Sequence, residues 1–429
     1  MRAWLYIATV IVATAFTAAG NGMMATFVPI RLDLGGSSQD AVGVVVTAYA
    51  IGMLLGCIFS GHLIRAVGHI RAFAAFAATG IIATLLMSGW VTVPMWIVLR
   101  LAGGFCTTAM FITAQSWLNE VSESDYRGRV MSLFYLSYTV SLGLGALVMN
   151  RVPADTATPF LIHAGLYAAS VIPIALTRLQ TPAPPERIAV RLREVYRISP
   201  VGLVGAYASG SLGMTMMGVG PMYGTAIGLS AQDIALTMAA LQGGNLAIQW
   251  PLGWLSDRID RRYVIVGAAF TVVLVSIAIL VAGDATLILL VFLFGLWGGL
   301  AESIYAVSTA HANDRTQAGD YVVVSSTVLV VWASGSTVGP MLATGAIRLF
   351  GPGGIWAFFI AVSGLFAAFV LWRLLQRAGP RETQQEPFHT VPSSPQIPEW
   401  SPYWHDDEAG GTDEGQPAAD PDAGRPAGG

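Results

Sequence analysis

The sequence contains no lysine, and only 11% of its residues carry a charge. A soluble domain carries about a quarter. With 54% hydrophobic residues and a mean hydropathy of +0.63, the chain cannot withdraw its apolar surface from water by folding alone. Lipid must be the solvent for much of it. All 22 basic residues are Arg. They are scattered between apolar runs rather than gathered on one face, which excludes a nucleic-acid footprint. Cysteine is nearly absent too. Cys57 and Cys106 both lie inside apolar runs, where they act as small hydrophobes. Neither a disulfide framework nor a metal site follows from them. No nucleophile elbow or phosphate-binding loop is present. The chain is therefore expected to be no enzyme and to need no cofactor or metal.

What is abundant is the long apolar run. A spanning helix needs about 20 mainly apolar residues, and twelve candidates stand at 4–30, 41–60, 71–90, 94–119, 127–150, 157–178, 200–224, 231–252, 262–282, 285–311, 321–347 and 354–376. Backbone groups in lipid must pair internally, so these spans are predicted to be helices. The N-terminal run starts like a signal peptide but continues to Ile30, too far for one, and is read as an uncleaved first span. Ser199-Pro200, Ser230 with Asp233, and Asp320 carry helix-entry chemistry.

Residues 379–429 hold ten carboxylates against two Arg, so the remainder is net basic. With the N-terminus inside, seventeen Arg fall in inner segments and only Arg31, Arg151 and Arg348 in outer loops. The positive-inside rule then puts both termini in the cytoplasm. The loop 180–200 begins Pro-rich and continues as ERIAVRLREVYRI, with Ile188, Leu192, Val195 and Tyr196 near one face. That pattern predicts a short helix on the membrane surface. Four parts follow: a six-helix half at 1–178, a linker at 179–199, a second six-helix half at 200–377, and an acidic, Pro/Gly-rich tail at 378–429 expected to be disordered.

The halves echo each other. GHLIRAVGHIR (61–71) and GWLSDRIDRR (253–262) each follow the second span of their half. Asn119 and Asn313 align, as do Asp125-Tyr126 and Asp320-Tyr321, at offsets near 194. Two parallel six-helix repeats about an axis along the membrane normal form a transporter arrangement with a midplane site between them.

GxxSDRxDRR at 253–262 resembles the helix 2–3 loop motif of the major facilitator superfamily, and GHLIRAVGHIR resembles its first-half copy. Arg100-Leu-Ala-Gly103-Gly104 is similar to the fourth-helix motif of the drug:proton antiporter branches. QSWLNE, RGRV and YAVSTAHANDR resemble a bacterial subgroup, the YcaD-like proteins. The resemblance covers residues 1 to about 377. It implies an all-α integral membrane fold of twelve helices in two pseudo-repeats. It also implies a conformational latch formed by Gly61, Arg65, Gly68 and Arg71 in the first half and by Gly253, Asp257, Arg258 and Arg261 in the second. Gly61 and Gly253 would permit close backbone approach at a sharp turn. The first half carries Arg65 where the second carries Asp257, so Arg65 would find Glu120, Glu123 or Asp125 if it latches at all. The antiporter branches have a Gly-Pro signature in helix five. Here that helix has Gly143 and Gly145 but no Pro, which leaves the direction of transport open.

Within the spans, charge marks candidate sites. Arg100 lies about six residues, roughly 9 Å, in from Pro94, a costly depth unless it faces water or a partner. Glu302 is a carboxylate well inside a span and the candidate proton carrier. Asn21 and Gln115 complete the expected cavity set. Gln242, Asn245 and Gln249 are read as interhelical glue, and His163 as an interfacial histidine. The leading reading is a monomeric secondary active transporter in the lipid bilayer. It would move a small amphipathic molecule outward in exchange for protons. Metabolite uptake, by symport or facilitated diffusion, is the alternative, and a membrane sensor or scaffold is a third reading.

Overall fold

The computed structural model describes residues 2–122, 124–176, 190–282, 286–316 and 321–376. These form thirteen helices and no strand: α1 (Arg2–Leu34), α2 (Gln39–Val67), α3 (His69–Gly89), α4 (Val93–Val121), α5 (Ser124–Val148), α6 (Thr158–Ala175), α7 (Leu192–Ile198), α8 (Pro200–Ala226), α9 (Ala231–Ser256), α10 (Arg261–Val281), α11 (Leu287–Asn313), α12 (Tyr321–Phe350) and α13 (Gly354–Gln376). All but α7 coincide with the predicted spans, and α1, α2 and α9 run a turn or more further at their C-terminal ends. Ten are long and apolar enough to cross a membrane. The other two long helices, α8 and α9, carry the Gly, Ser and amide side chains that lower their hydropathy. Large apolar side chains such as Ile82, Val98, Phe270, Phe292 and Leu365 face outward, as a lipid solvent allows.

Capping follows local chemistry. Ser199 Oγ accepts from the Gly202 amide at 3.1 Å. Ser230 and Asp233 form a reciprocal capping box at the start of α9. Asp320 lies outside the described residues, as does the tail. Ile188 of the expected surface helix lies outside the described residues, and the described part is α7. It begins at Leu192, buries Val195, and leaves Leu192 and Tyr196 exposed.

The packing of α1–α6 recurs in α8–α13. α1 packs on α5 as α8 packs on α12, α2 on α4 as α9 on α11, and α3 on α6 as α10 on α13. Between the two sets, α2 meets α12 and α5 meets α9, again an exchanged pair, while α1 meets α8. Four of these crossings, α1–α5, α2–α4, α8–α12 and α9–α11, are backbone against backbone. A Cβ on Gly104 would overlap the Tyr49 carbonyl oxygen, and one on Gly244 would overlap that of Gly295. In lipid, such small-residue contacts hold helices together because apolar side chains gain nothing by leaving the hydrocarbon. The α2–α4 crossing also fixes Tyr49 beside Arg100, one turn from Gly104. Gly104→Val is expected to cost about 1–3 kcal/mol by overpacking. It should lower the melting temperature of the detergent-solubilised protein. An unchanged melting temperature would mean that the two helices part without penalty.

Candidate functional site

A cleft of about 1040 Å³, its open end included, lies among α1, α2, α4 and α5 on one side and α8, α9, α11 and α12 on the other. Arg100, Glu302 and Asn21 all line it. Sequence reasoning proposed these three as cavity residues, and tertiary packing brings them together. Gln115 does not line it. It is fully buried, and its Nε2 donates to Tyr135 Oη at 2.7 Å, tying α4 to α5. Conversely, Gln242 and Asn245, expected as glue, form part of the cleft wall. An all-apolar helix surround hides which face looks into a cavity, so these assignments needed the fold.

The Arg100 wall is built from four helices. Tyr49 on α2 lays its ring under the Arg100 guanidinium, whose carbon sits 3.9 Å from the ring centre. This cation–π contact orients the charge without neutralising it. Arg100 Nε is buried with no hydrogen-bond partner among the described residues. Asn21 on α1 is held by its oxygen. Tyr167 Oη donates to Asn21 Oδ1 at 2.8 Å, and Thr107 Oγ1 lies 3.2 Å from the same atom. The amide nitrogen of Asn21 is buried and unpartnered among the described residues. Behind this wall is a smaller chamber that reaches His163. That residue is not interfacial. It is buried against the Tyr167 ring, centroids 4.3 Å apart, with Nδ1 2.9 Å from Thr84 Oγ1. Thr84 gives its proton to the Gly80 carbonyl, so His163 Nδ1 is the donor in that pair. Tyr49, Thr107 and Tyr167 escaped sequence reasoning because aromatic and hydroxyl residues are ordinary in apolar spans. Tyr167→Phe is expected to cost about 1–3 kcal/mol in stability by removing the hydroxyl's buried contacts to Asn21 Oδ1 and Thr107 Oγ1, read by denaturant unfolding in detergent. A variant as stable as the parent would show that Asn21 needs no such anchor.

The facing wall carries Glu302 on α11. Its Oε2 is buried and has no hydrogen-bond partner among the described residues. Gly213 on α8 makes room for the carboxyl group, since a Cβ there would stand 3.1 Å from Glu302 Oε1. Among the described residues, neither Arg100 nor Glu302 has an ion-pair partner. Met214 and Met217 add adaptable apolar wall, with Phe111, Tyr138 and Trp332. Tyr223, further along α8, packs on Trp356.

At the α2–α3 and α9–α10 turns, the structure corrects the role of two glycines. Gly61 and Gly253 lie inside α2 and α9 rather than at a turn. The chain reverses at Gly68, whose φ of 83° favours glycine. In the second half the network centres on Arg261. This residue is buried, donates from Nε to Asp314 Oδ2 at 2.7 Å, and lies 3.2 Å from Asp257 Oδ1 through Nη1. Arg258 turns away and stacks on Trp254 at 3.5 Å. Asp260 caps α10 and pairs with Arg262 at 2.7 Å. Burial opposes its charge, yet the hydrogen bonds and guanidinium of Arg262 hold its carboxyl below the usual value. Asp314 was missed, although it follows Asn313 as Glu120 follows Asn119. In the first half, α3 begins with buried His69 where α10 begins with Arg261, and His69 Nε2 sits 3.1 Å from Ser116 Oγ. Arg65 is half-buried and Arg71 exposed. The side chains of Glu120, Glu123 and Asp125, the expected partners of Arg65, lie outside the described residues.

A family model described as the Major Facilitator Superfamily matches residues 10–321 and again 201–407. The chain belongs to the major facilitator superfamily. Like the relatives it matches, it is a multi-pass membrane transporter and not an enzyme. One superfamily relative is an uncharacterised MFS-type transporter of Enterobacter sp. (strain 638). It is 26% identical over 363 residues, spanning 83% of this chain and 92% of the relative. Another is the uncharacterised MFS-type transporter YcaD of Escherichia coli O7:K1 (strain IAI39 / ExPEC), 27% identical over 359 residues, with 82% and 91% covered. Among solved superfamily structures, the nucleoside transporter NupG superposes with a TM-score of 0.71 at 12% identity, covering 86% of this chain and 99% of its own. A D-xylose-proton symporter superposes with a TM-score of 0.68 at 14% identity, covering 89% and 98%. At these identities the structures show a shared fold.

Proposed function

We propose that this superfamily member is a proton-coupled secondary transporter that exports a small amphipathic molecule across the inner membrane. The carrying observation is Glu302, a carboxyl group without a partner in a cleft walled by both sets of helices. A proton and a substrate that share one cleft exchange through it when the two six-helix halves, 1–178 and 200–377, rock about it. Arg100 and Asn21 anchor the polar end of the substrate, and the Met and aromatic wall takes its apolar body. The Arg261 network serves as a latch that is remade in each cycle, with Gly68 as its first-half turn. The excess of Arg on one side of the sequence supports cytoplasmic termini.

The test is proton flux. Purified protein is placed in liposomes with a pH dye inside, a pH gradient is imposed, and cationic, neutral and anionic compounds are added. Export predicts that a transported compound dissipates an inside-acid gradient. Compounds that cross with no proton movement would refute coupling and leave a facilitator. Uptake is the second reading, favoured by the missing Pro in α5 and by fold likeness to a protein named as a D-xylose-proton symporter. It predicts the opposite sign of proton flux, with compound and proton moving together.

A further inference from the structure

We infer that the cleft takes a zwitterion, with an anionic end against Arg100 and Asn21, a cationic end against Glu302, and an apolar body between. The inference rests on the transporter reading only in taking this cleft as the substrate site. Four observations carry it. First, the unpartnered donors, Arg100 Nε and the Asn21 amide nitrogen, lie in the α1–α6 set of helices. Second, the unpartnered acceptor, Glu302 Oε2, lies in the α8–α13 set. Third, both donors are held in place from behind: Tyr49 stacks on Arg100, and Tyr167 and Thr107 grip the Asn21 oxygen. An Asn whose oxygen is already occupied presents its N–H groups, which suit a carboxylate or similar anion. Fourth, the two charged groups do not pair with each other. Arg100 is seven residues past the start of α4 and Glu302 fifteen past the start of α11. If those helix starts are level, the Cα atoms are offset along the cleft by roughly 12 Å.

Charge arithmetic then selects the substrate class. A purely cationic molecule would satisfy Glu302 and leave Arg100 facing a like charge. A purely anionic one would do the reverse. A neutral molecule would leave the Arg100 charge desolvated and uncompensated, which is costly in a low-dielectric interior, and would give Glu302 no counter-charge beyond the proton it can take up. A molecule with both charges, separated by an apolar stretch, offsets both. The cleft wall also carries Met217, Phe111 and Trp332, beside the polar side chains of Thr108, Thr139, Gln242 and Asn245, and the Met and aromatic part suits a hydrocarbon or aromatic spacer.

The test is equilibrium binding to the full chain in detergent, with no gradient imposed. The probes are ω-amino carboxylic acids with alkyl or aryl bodies and spacers from short to long. Each is compared with its matched amine, carboxylic acid and alcohol. At least one zwitterion is expected to bind about tenfold or more tightly than both of its singly charged counterparts. Glu302→Gln should erase that advantage over the acid, in part by relieving the like charge that the acid meets there. Arg100→Gln should erase it over the amine. Amines or acids that bind as well as the zwitterions would overturn the inference, as would no binding by any member of the set. The wild-type comparison decides the matter even if a variant fails to fold. Because binding is read without proton movement, a failed flux assay leaves this inference standing, and a failed binding assay leaves proton coupling standing.

Discussion

Replacing Arg261 by alanine is expected to destabilise the protein by about 3–5 kcal/mol, the usual cost of breaking a buried ion pair from one side. The side chains of Arg261 and Asp314 are each 1% exposed and meet at 2.7 Å. Taking away the guanidinium leaves the Asp314 carboxylate buried without that partner, at the C-terminal end of α11 where the helix dipole is also negative. Asp257 is different. Its side chain is one-third exposed and its contact to Arg261 is longer, at 3.2 Å, so Asp257→Asn should cost less than about 1 kcal/mol. The paired variant Arg261→Ala with Asp314→Ala should recover much of the loss, because no charge is then stranded. Thermal unfolding of the three variants in detergent checks the ranking. A single Arg261→Ala variant as stable as wild type would mean that solvent already reaches Asp314. The latch reading adds a functional consequence: Asp257→Asn should change the balance between conformations, and with it the transport rate, far more than it changes the melting temperature.

Glu302→Gln is expected to reduce compound-driven proton movement to the level of protein-free liposomes while the protein folds normally. Glutamine keeps the shape that Gly213 accommodates and can still accept a hydrogen bond. It cannot take up or release a proton. Its fold should be no weaker than wild type, because the substitution removes a desolvated charge site rather than a satisfied pair. Melting temperature and dye-reported flux are measured side by side. Flux that persists in Glu302→Gln would move the proton carrier elsewhere and make Glu302 a structural or substrate-holding acid.

Most of the architecture was legible from sequence because lipid imposes a simple rule. Backbone groups must pair within each span, so apolar runs become helices whose ends follow charge and capping residues. The Ser230–Asp233 box and the Ser199 cap were readable for the same local reason. Glu302 and Arg100 stood out as candidates because charge inside an apolar run is costly. The paired loop motif was legible in outline from its repeat.

Which helix face looks where was not legible. In a water-soluble helix, the polar stripe points outward. Here lipid on one side and protein on the other are both apolar, so no stripe separates Gln115, which ties α4 to α5, from Gln242, which lines the cleft. The Asn21 cradle joins α1, α4 and α6, and Asp314 reaches Arg261 from 53 residues away. Sequence by itself determined the membrane class, the helices and the charges worth suspecting, because each follows from local transfer energies. Only the tertiary structure decided which of those charges share a cleft and which are already paired, because that depends on contacts between helices far apart in the chain.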